Sequence, residues 1–73
     1  MNPLNPKNLL LTQWTALKPV AKQKHFLIHR VIQPEWPSDP IERVELEAVF
    51  SKATRVIAWR ELQDDDDWRQ GWF

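Results

Sequence analysis

Two histidines, His25 and His29, have a spacing that could in principle hold a metal ion. On a helix, residues four apart share one face and could both ligate zinc. On a strand, however, four residues span about 13 Å, whereas each Zn–N bond is only about 2.0–2.1 Å long. The flanking residues predict a strand, and no third ligand is suitably spaced. We therefore expect structural or solvated histidines and no metal site.

An acidic run, Asp64 to Asp67, could attract calcium or magnesium. It lacks the alternating aspartate pattern and the glycine of an EF-hand loop. Asp64 or Asp65 can instead cap a short helix, because carboxylates are favourable at the positive N-terminal end of a helix. We interpret the run as a helix cap and a solvated turn.

Signatures of catalysis are missing from the sequence. It has no glycine-rich phosphate loop and no serine elbow, and neither Ser38 nor Ser51 lies in a nucleophile motif. Glu45 and Glu47 could take part in acid–base chemistry, but their spacing is typical of the wetter face of a strand. We expect a protein that is not an enzyme and that uses no cofactor.

Five tryptophans in 73 residues are the conspicuous surplus. Trp14 and Trp59 lie in apolar segments and are expected in the core. The other three, together with nearby basic residues, form a candidate binding surface. Its members are Trp36, Trp68, Trp72, Lys22, Lys24, Arg30 and Arg69. A basic aromatic surface can stack nucleic-acid bases and hold phosphates, or it can bind proline-rich peptides.

Composition sets broad limits on the class of protein. Ten basic and ten acidic residues cancel, so there is no global case for nucleic acid or an anionic membrane. No cysteine is present, and no apolar run approaches the roughly 20 residues that span a bilayer. The first residues do not resemble a signal peptide. We expect a cytoplasmic protein in which residues 1–73 form one domain, with residues 1–8 as a flexible N-terminal arm.

Period-two alternation is clearest in residues 42–50, where Val44, Leu46, Ala48 and Phe50 share one face. Residues 54–62 are rich in residues that favour strands. We predict a hairpin between these segments through a four-residue loop at 51–54. Its register places Phe50 opposite Arg55. The further predicted pairs are Leu46 with Trp59, Ala48 with Ile57, Val49 with Val56 and Glu45 with Arg60.

Residues 25–32 predict a central strand that carries Phe26, Ile28, Arg30 and Ile32 on one face. Residues 10–16 predict a weaker strand that ends at Pro19, although its first leucines could also open a helical turn. Three prolines make residues 33–41 an extended loop.

Residues 64–70 predict a short helix followed by Gly71 at its C′ position. Trp68 and Trp72 would lie on one side of it. Because Gly71 is the single glycine, other turns with positive φ would have to use Asn or Asp or be avoided.

Together these elements predict a mainly β fold. It is a small curved antiparallel sheet of three to four strands, a meander or a barrel-like sheet, with a short C-terminal helical turn.

Several tryptophan-centred motifs occur in order along the chain. They are Gln13-Trp14-Thr15-Ala16, Pro19 and Lys24-His25-Phe26, then Val44-Glu45-Leu46-Glu47-Ala48-Val49, Trp59-Arg60-Glu61-Leu62 and Trp68-Arg69-Gln70-Gly71-Trp72. In these motifs residues 5–72 resemble a family of small tryptophan-rich bacterial proteins of unknown function. The resemblance implies the limits of the domain and no particular activity, cofactor or partner.

Two functional hypotheses remain open at this point. The first is a small interaction or adaptor module that uses a sheet edge or an exposed tryptophan surface to bind a protein partner or a second copy of the chain. The second is a binder of single-stranded nucleic acid that uses basic residues beside an exposed indole. They differ in whether the basic residues of the first half of the chain lie next to an accessible tryptophan.

Overall fold

The computed structural model describes residues 4–20 and 23–73, and it consists of one antiparallel sheet with two short 3-10 helices. The strands are β1 (Gln13–Val20), β2 (Gln23–Ile32), β3 (Arg43–Ala48), β4 (Thr54–Ala58) and β5 (Trp68–Gln70), and the 3-10 helices are Pro6–Asn8 and Trp59–Gln63. The strand order is β4-β3-β2-β1-β5 and the sheet is not closed.

The predicted mainly β fold is confirmed as an open antiparallel sheet with a short helical turn near the C-terminus. The turn is the 3-10 helix Trp59–Gln63 and not the segment 64–70 for which it was predicted. The described residues form five strands rather than three or four, because β5 adds to the outer side of β1. The predicted loop at residues 33–41 contains no strand or helix.

One face of the sheet carries the hydrophobic core, and we call it the core face. Alternate residues of the strands lie on it, as period two requires. Trp14 is fully buried and Trp59, from the second 3-10 helix, is buried beside Leu62, so the prediction that Trp14 and Trp59 are core residues is confirmed. The core consists of Leu9, Trp14, Ala16, Phe26, Ile28, Val44, Leu46, Ala48, Ile57, Trp59, Leu62 and Trp68.

The predicted hairpin joins the correct strands but in the wrong register. Leu46 pairs with Arg55 and Val44 with Ile57, a shift of four residues from the predicted pairs. The Ala48 N–H donates to Ala53 O, so the loop is residues 49–52 rather than 51–54. Phe50 therefore lies at the loop tip, 94% exposed, and not on the core face. The core faces are preserved because an even shift does not exchange the two sides of a strand.

A β-bulge in β2 changes the faces predicted for its second half. The register shifts between Ile28, which pairs with Leu46, and Arg30, which pairs with Glu45. The extra residue, His29, exchanges the two sides of the strand beyond it. Val31 therefore packs against the core, whereas Arg30 and Ile32 do not share the face of Phe26 as predicted. Glu45 contacts His29 and Arg30 rather than Arg60.

The strand predicted at residues 10–16 is observed later in the chain, as β1. Leu10 is exposed and Leu9 is buried in its place. Pro19 lies inside β1 instead of ending it. Thr15 pairs with His25 and Val20 pairs with Gln23 on β2, and the register shifts between these two pairs. Pro19 lies in this irregular part of the ladder. A missing N–H is tolerated at such a position.

Residues 64–70 do not form the predicted helix. Asp64 accepts the N–H groups of Asp67 and Trp68 through its carbonyl, which closes a turn, and β5 follows directly. Trp68 pairs with Ala16 on the core face. Gly71 has a φ of +97°, so its predicted positive φ is observed, but after a strand and not after a helix.

Two turns use positive φ at residues that the sequence did not indicate. Leu11 and Lys52 both have a φ of 65°, although the composition suggested Asn or Asp for such positions. Lys52 closes the β3–β4 loop by donating its N–H to Ala48 O. Within the predicted N-terminal arm, residues 6–8 form the first 3-10 helix and Leu4 packs against the core.

Candidate binding edge and cleft

The outer side of β4 is an edge with free main-chain groups. Hydrogen-bonded pairs alternate with other pairs in an antiparallel ladder. The Ala48–Ala53 and Glu42–Trp59 pairs are bonded, and this fixes the alternation along β4. Arg55 and Ile57 therefore direct their main-chain groups toward β3, whereas the main-chain groups of Thr54, Val56 and Ala58 point away from the sheet. We call the outward side of these last three residues the β4 edge.

The β4 edge is only partly protected. The Ala58 N–H donates to Glu61 Oε2 at 3.2 Å, but the N–H and C=O groups of Thr54 and Val56 have no partner in the described part of the chain. Val56 is 47% exposed. Natural edges are commonly blocked by charged side chains, proline or a bulge. Residues 54–58 contain no lysine, proline or bulge, and their one charged residue, Arg55, lies on the core face over Phe26 and Trp68. An extended segment can therefore approach this strand.

A cleft of about 400 Å³ opens on the core face beside the start of β4. Ala16, Phe26 and Trp68 form its apolar floor. Thr54 and Arg55 line one wall, and residues of β1 and the turn before β5 line the other. The second 3-10 helix contacts both β4 and β5 and contributes Glu61. The cleft thus lies between the two outermost strands of the open sheet.

Arg55 is held over two aromatic rings in this cleft. Its guanidinium carbon lies 5.8 Å from the ring centroid of Phe26 and 5.6 Å from that of Trp68. The two rings meet edge to face, with centroids 5.5 Å apart. This is the geometry of a cation–π contact. Among the described residues no carboxylate lies within ion-pair distance of Arg55, so Arg55 has no ion-pair partner in this part of the chain.

The opposite wall of the cleft carries a closed ion pair. Lys18 Nζ lies 3.2 Å from Asp67 Oδ1. The hydrogen bond to Asp67, followed by the charge of the same carboxylate, raises the pKa of Lys18 above its ordinary value. The Asp67 carboxylate is therefore already engaged within the chain.

Asp67→Asn is expected to return the pKa of Lys18 toward its ordinary value, which an NMR titration of the lysine side chain measures. Because the folded-state pKa is raised, the stabilisation from this pair is present below the ordinary pKa of about 10.4 and is lost as the pH rises through the folded-state pKa. The pair is exposed, so the effect on stability is small. An unchanged Lys18 titration in Asp67→Asn would show that the ion pair does not form in solution.

The tryptophans of the predicted binding surface do not lie together. Trp68 is 4% exposed, and its ring belongs to the floor of the cleft. Trp36 is 63% exposed in the loop at residues 33–41. Trp72 is partly exposed, lies beside His25 and donates its Nε1–H to Phe26 O at 3.0 Å. The three indoles therefore form no single platform.

The basic residues of that predicted surface are dispersed as well. Lys22 lies outside the described residues. Lys24 is exposed on β2, and Arg30 lies 3.4 Å from Glu45 Oε2 near the bulge. The Arg69 guanidinium lies 3.8 Å from the ring centroid of Phe73. Of the predicted set, the structure places Trp72 and Arg69 in one neighbourhood, around Phe73 on the face opposite the core.

Sequence reasoning missed Arg55 and did not identify β4 as the exposed edge. The spacing of Arg55 did indicate that it lies on the core face, because Arg55 and the apolar Ile57 are two apart on a strand and must share a face. The order of the strands, which makes β4 an edge, comes from long-range pairing that local patterns do not contain.

Two other classes of site find no support in the part of the chain that the structure describes. There is no group of three or more metal-ligating side chains among these residues. His29 hydrogen-bonds Glu45 away from the cleft. In residues 4–20 and 23–73 no helix has the length and apolar character required to cross a membrane.

Comparison with known proteins places the chain in a family. A search of curated proteins and of solved structures gave no match. A family model described as "Tryptophan-rich protein (DUF2389)" matches residues 12–72, which confirms the resemblance inferred from the tryptophan motifs. The chain belongs to this tryptophan-rich family of unknown function.

Proposed function

We propose that the chain is a small non-catalytic interaction module that binds an extended segment of a partner protein along the β4 edge. The observation that carries the proposal is a pair of main-chain positions on an exposed strand, Thr54 and Val56, that have no hydrogen-bond partner within residues 4–20 and 23–73. A peptide that adds to a sheet edge gains affinity from main-chain hydrogen bonds and specificity from pockets for alternate side chains. The β4 edge supplies the main-chain hydrogen bonds, and the cleft beside it is suited to hold a side chain of the peptide.

The number of available hydrogen bonds limits what the edge alone can achieve. Thr54 and Val56 offer both N–H and C=O groups. Ala58 offers neither, because its N–H donates to Glu61 Oε2 and its C=O, at the N-cap of the second 3-10 helix, accepts the first hydrogen bond of that helix. Each net hydrogen bond contributes only about 0.5–1.5 kcal/mol, and ordering a flexible peptide costs free energy. Side-chain contacts in the cleft are therefore needed for useful affinity, and this links the edge and the cleft in one binding site.

The charge arrangement favours a protein segment over single-stranded nucleic acid. A nucleic-acid surface needs free basic groups beside accessible indoles. Lys18 is paired with Asp67 and Arg30 with Glu45. Arg55 does lie beside an indole, but that ring, Trp68, is buried. Arg69 and the accessible Trp72 do lie in one neighbourhood on the opposite face, but this is one basic residue beside one indole, a smaller surface than a strand of several nucleotides needs.

Val56→Pro is expected to weaken peptide binding by at least about tenfold, which corresponds to about 1.4 kcal/mol. The Val56 N–H points away from β3, so proline removes an outward donor and blocks the edge without breaking the β3–β4 ladder. Val56→Thr is the matched control, because it keeps both the N–H and the branched shape. The measurement is the affinity of both variants for peptides that the wild-type protein selects from a random library displayed on phage.

Three outcomes would contradict the proposal. Equal binding by Val56→Pro and Val56→Thr, with both folded by circular dichroism, would show that the β4 edge is not used. No enriched peptide, together with salt-reversible quenching of tryptophan fluorescence by a mixed single-stranded oligonucleotide, would favour nucleic acid instead. Self-association in sedimentation that Val56→Pro abolishes would identify a second copy of the chain as the occupant and would exclude a foreign partner.

A further inference from the structure

The β4 edge and the cleft together define the side-chain chemistry of the segment that would bind. This step rests on the proposed binding of an extended segment to β4. We infer that the segment carries an acidic side chain that binds Arg55 and, two residues away, a large apolar side chain that enters the cleft. The inference names a chemical class of partner, and it follows from register, charge and the shape of the cleft.

Register places alternate side chains of an added strand above the cleft. In an added strand, successive side chains point to opposite faces of the sheet. The residue opposite Arg55 therefore lies on the core face, next to the guanidinium. The next residue on that face, toward the β3–β4 loop, lies beside Ala53, which together with Thr54 and Arg55 lines the cleft.

Arg55 is the charged group best placed to select an acidic side chain. Its guanidinium carbon lies 5.8 Å and 5.6 Å from the ring centroids of Phe26 and Trp68, and the guanidinium carries five N–H donors in one plane. A carboxylate can accept two of them side by side, which is the strongest form of this contact. The aromatic rings hold the guanidinium in place, so less side-chain entropy is lost on binding.

The acidic side chains of the cleft attract a basic partner less strongly than Arg55 attracts an acidic one. Asp67 is engaged by Lys18 at 3.2 Å, and Glu61 accepts the Ala58 N–H at 3.2 Å. Arg55 has no such partner among the described residues. The Ala58 N–H does not neutralise the Glu61 carboxylate, so the preference is local: at the position opposite Arg55, charge complementarity favours a carboxylate on the incoming strand.

The apolar floor of the cleft determines the second side chain. Ala16, Phe26 and Trp68 form it, and the volume of about 400 Å³ is near the lower end of the range of about 300–1,000 Å³ that ligand pockets span. This space is large enough to take one large side chain of an added strand. Phe26 and Trp68 are 6% and 4% exposed, so a phenylalanine or a similarly large apolar residue would contact the small accessible part of these rings and the apolar stem of Arg55.

The test uses synthetic peptides designed as an added strand. Glutamate and phenylalanine occupy two neighbouring positions on the core face, two residues apart, and threonine occupies the positions that face the other side of the sheet. One matched peptide has glutamine in place of the glutamate, and another has serine in place of the phenylalanine. Wild-type protein, Arg55→Met and Arg55→Lys are titrated with each. Met keeps the apolar stem without charge, whereas Lys keeps the charge without the planar pair of donors.

Wild-type protein is expected to bind the glutamate peptide about tenfold more tightly than the glutamine peptide, and added salt should reduce this preference. Arg55→Met should bind the two peptides equally, and Arg55→Lys should keep part of the preference. The serine peptide should bind at least about tenfold more weakly than the phenylalanine peptide to all three proteins. The peptide-side changes keep the test decisive even where Arg55→Met loses stability.

Different results overturn different claims. No binding of the glutamate peptide, equal binding of the glutamate and glutamine peptides by wild-type protein, or a preference retained in Arg55→Met would overturn the acidic specificity. Equal binding of the serine and phenylalanine peptides would overturn the role of the cleft. If Val56→Pro binds the glutamate peptide as tightly as wild-type protein, the proposed use of the β4 edge itself fails.

Discussion

Trp14→Ala is expected to lower the free energy of unfolding by about 3–5 kcal/mol, enough to unfold much of a domain of this size at room temperature. Trp14 has no exposed surface and lies on β1 between β2 and β5. Its Nε1–H donates to Thr12 Oγ1 at 2.9 Å, and that hydroxyl donates to Leu9 O at 2.6 Å. Removal of the indole creates a cavity and also disrupts this anchor of the N-terminal segment.

Urea unfolding followed by circular dichroism measures this effect. Trp36→Ala is the matched control, because it removes the same side chain from a position that is 63% exposed. It should change the free energy of unfolding by less than about 0.5 kcal/mol. A loss from Trp36→Ala as large as that from Trp14→Ala would contradict the assignment of core and surface.

Trp59→Ala is expected to cost a similar amount, about 3–5 kcal/mol. The indole is buried at the start of the second 3-10 helix, and its Nε1–H donates to Ile41 O at 2.9 Å. The Trp59 N–H also donates to Glu42 O. These contacts join the end of β4 to the loop before β3, so the substitution loosens the end of the β4 edge as well as the core.

Trp59→Phe separates packing from hydrogen bonding. Phenylalanine keeps much of the apolar contact but cannot donate to Ile41 O. Loss of the hydrogen bond with the carbonyl left unpaired costs about 1–3 kcal/mol. The same urea titration should therefore place Trp59→Phe between wild-type protein and Trp59→Ala. A near-neutral Trp59→Ala would show that this ring is not part of the core in solution.

Local patterns in the sequence predicted the strands and their faces well where alternation was strong. Val44, Leu46 and Ala48 lie on the core face as expected. The register with β4 was wrong by four residues, because alternation is insensitive to any even shift. The observed register depends on a loop in which Lys52 adopts a positive φ, and no residue preference indicates that choice.

The C-terminal segment shows a second limit of local reasoning. Trp68 and Trp72 are four apart, a spacing that suits one side of a helix as well as two positions around a short strand. Pairing with β1 decides between them, and it buries Trp68 on the core face while Trp72 stays partly exposed. Three strand residues carry too little pattern to predict this pairing from the sequence.

The candidate site was predicted only in part. The sequence indicated that a sheet edge could bind a partner, but which strand is the edge depends on the order of all five strands. Arg55 was expected to pair with Phe50 near the hairpin loop. The shift in register instead places it over Phe26 and Trp68, which creates the charged wall of the cleft.

Amide hydrogen exchange at Thr54 and Val56 tests the proposed binding edge most directly. In the free protein both N–H groups should exchange rapidly, while those of Arg55 and Ile57, which bond to β3, should be protected. Addition of a peptide selected by the protein should protect Thr54 and Val56. If that peptide binds while both amides still exchange as in the free protein, binding occurs elsewhere and the β4 edge is not the interaction site.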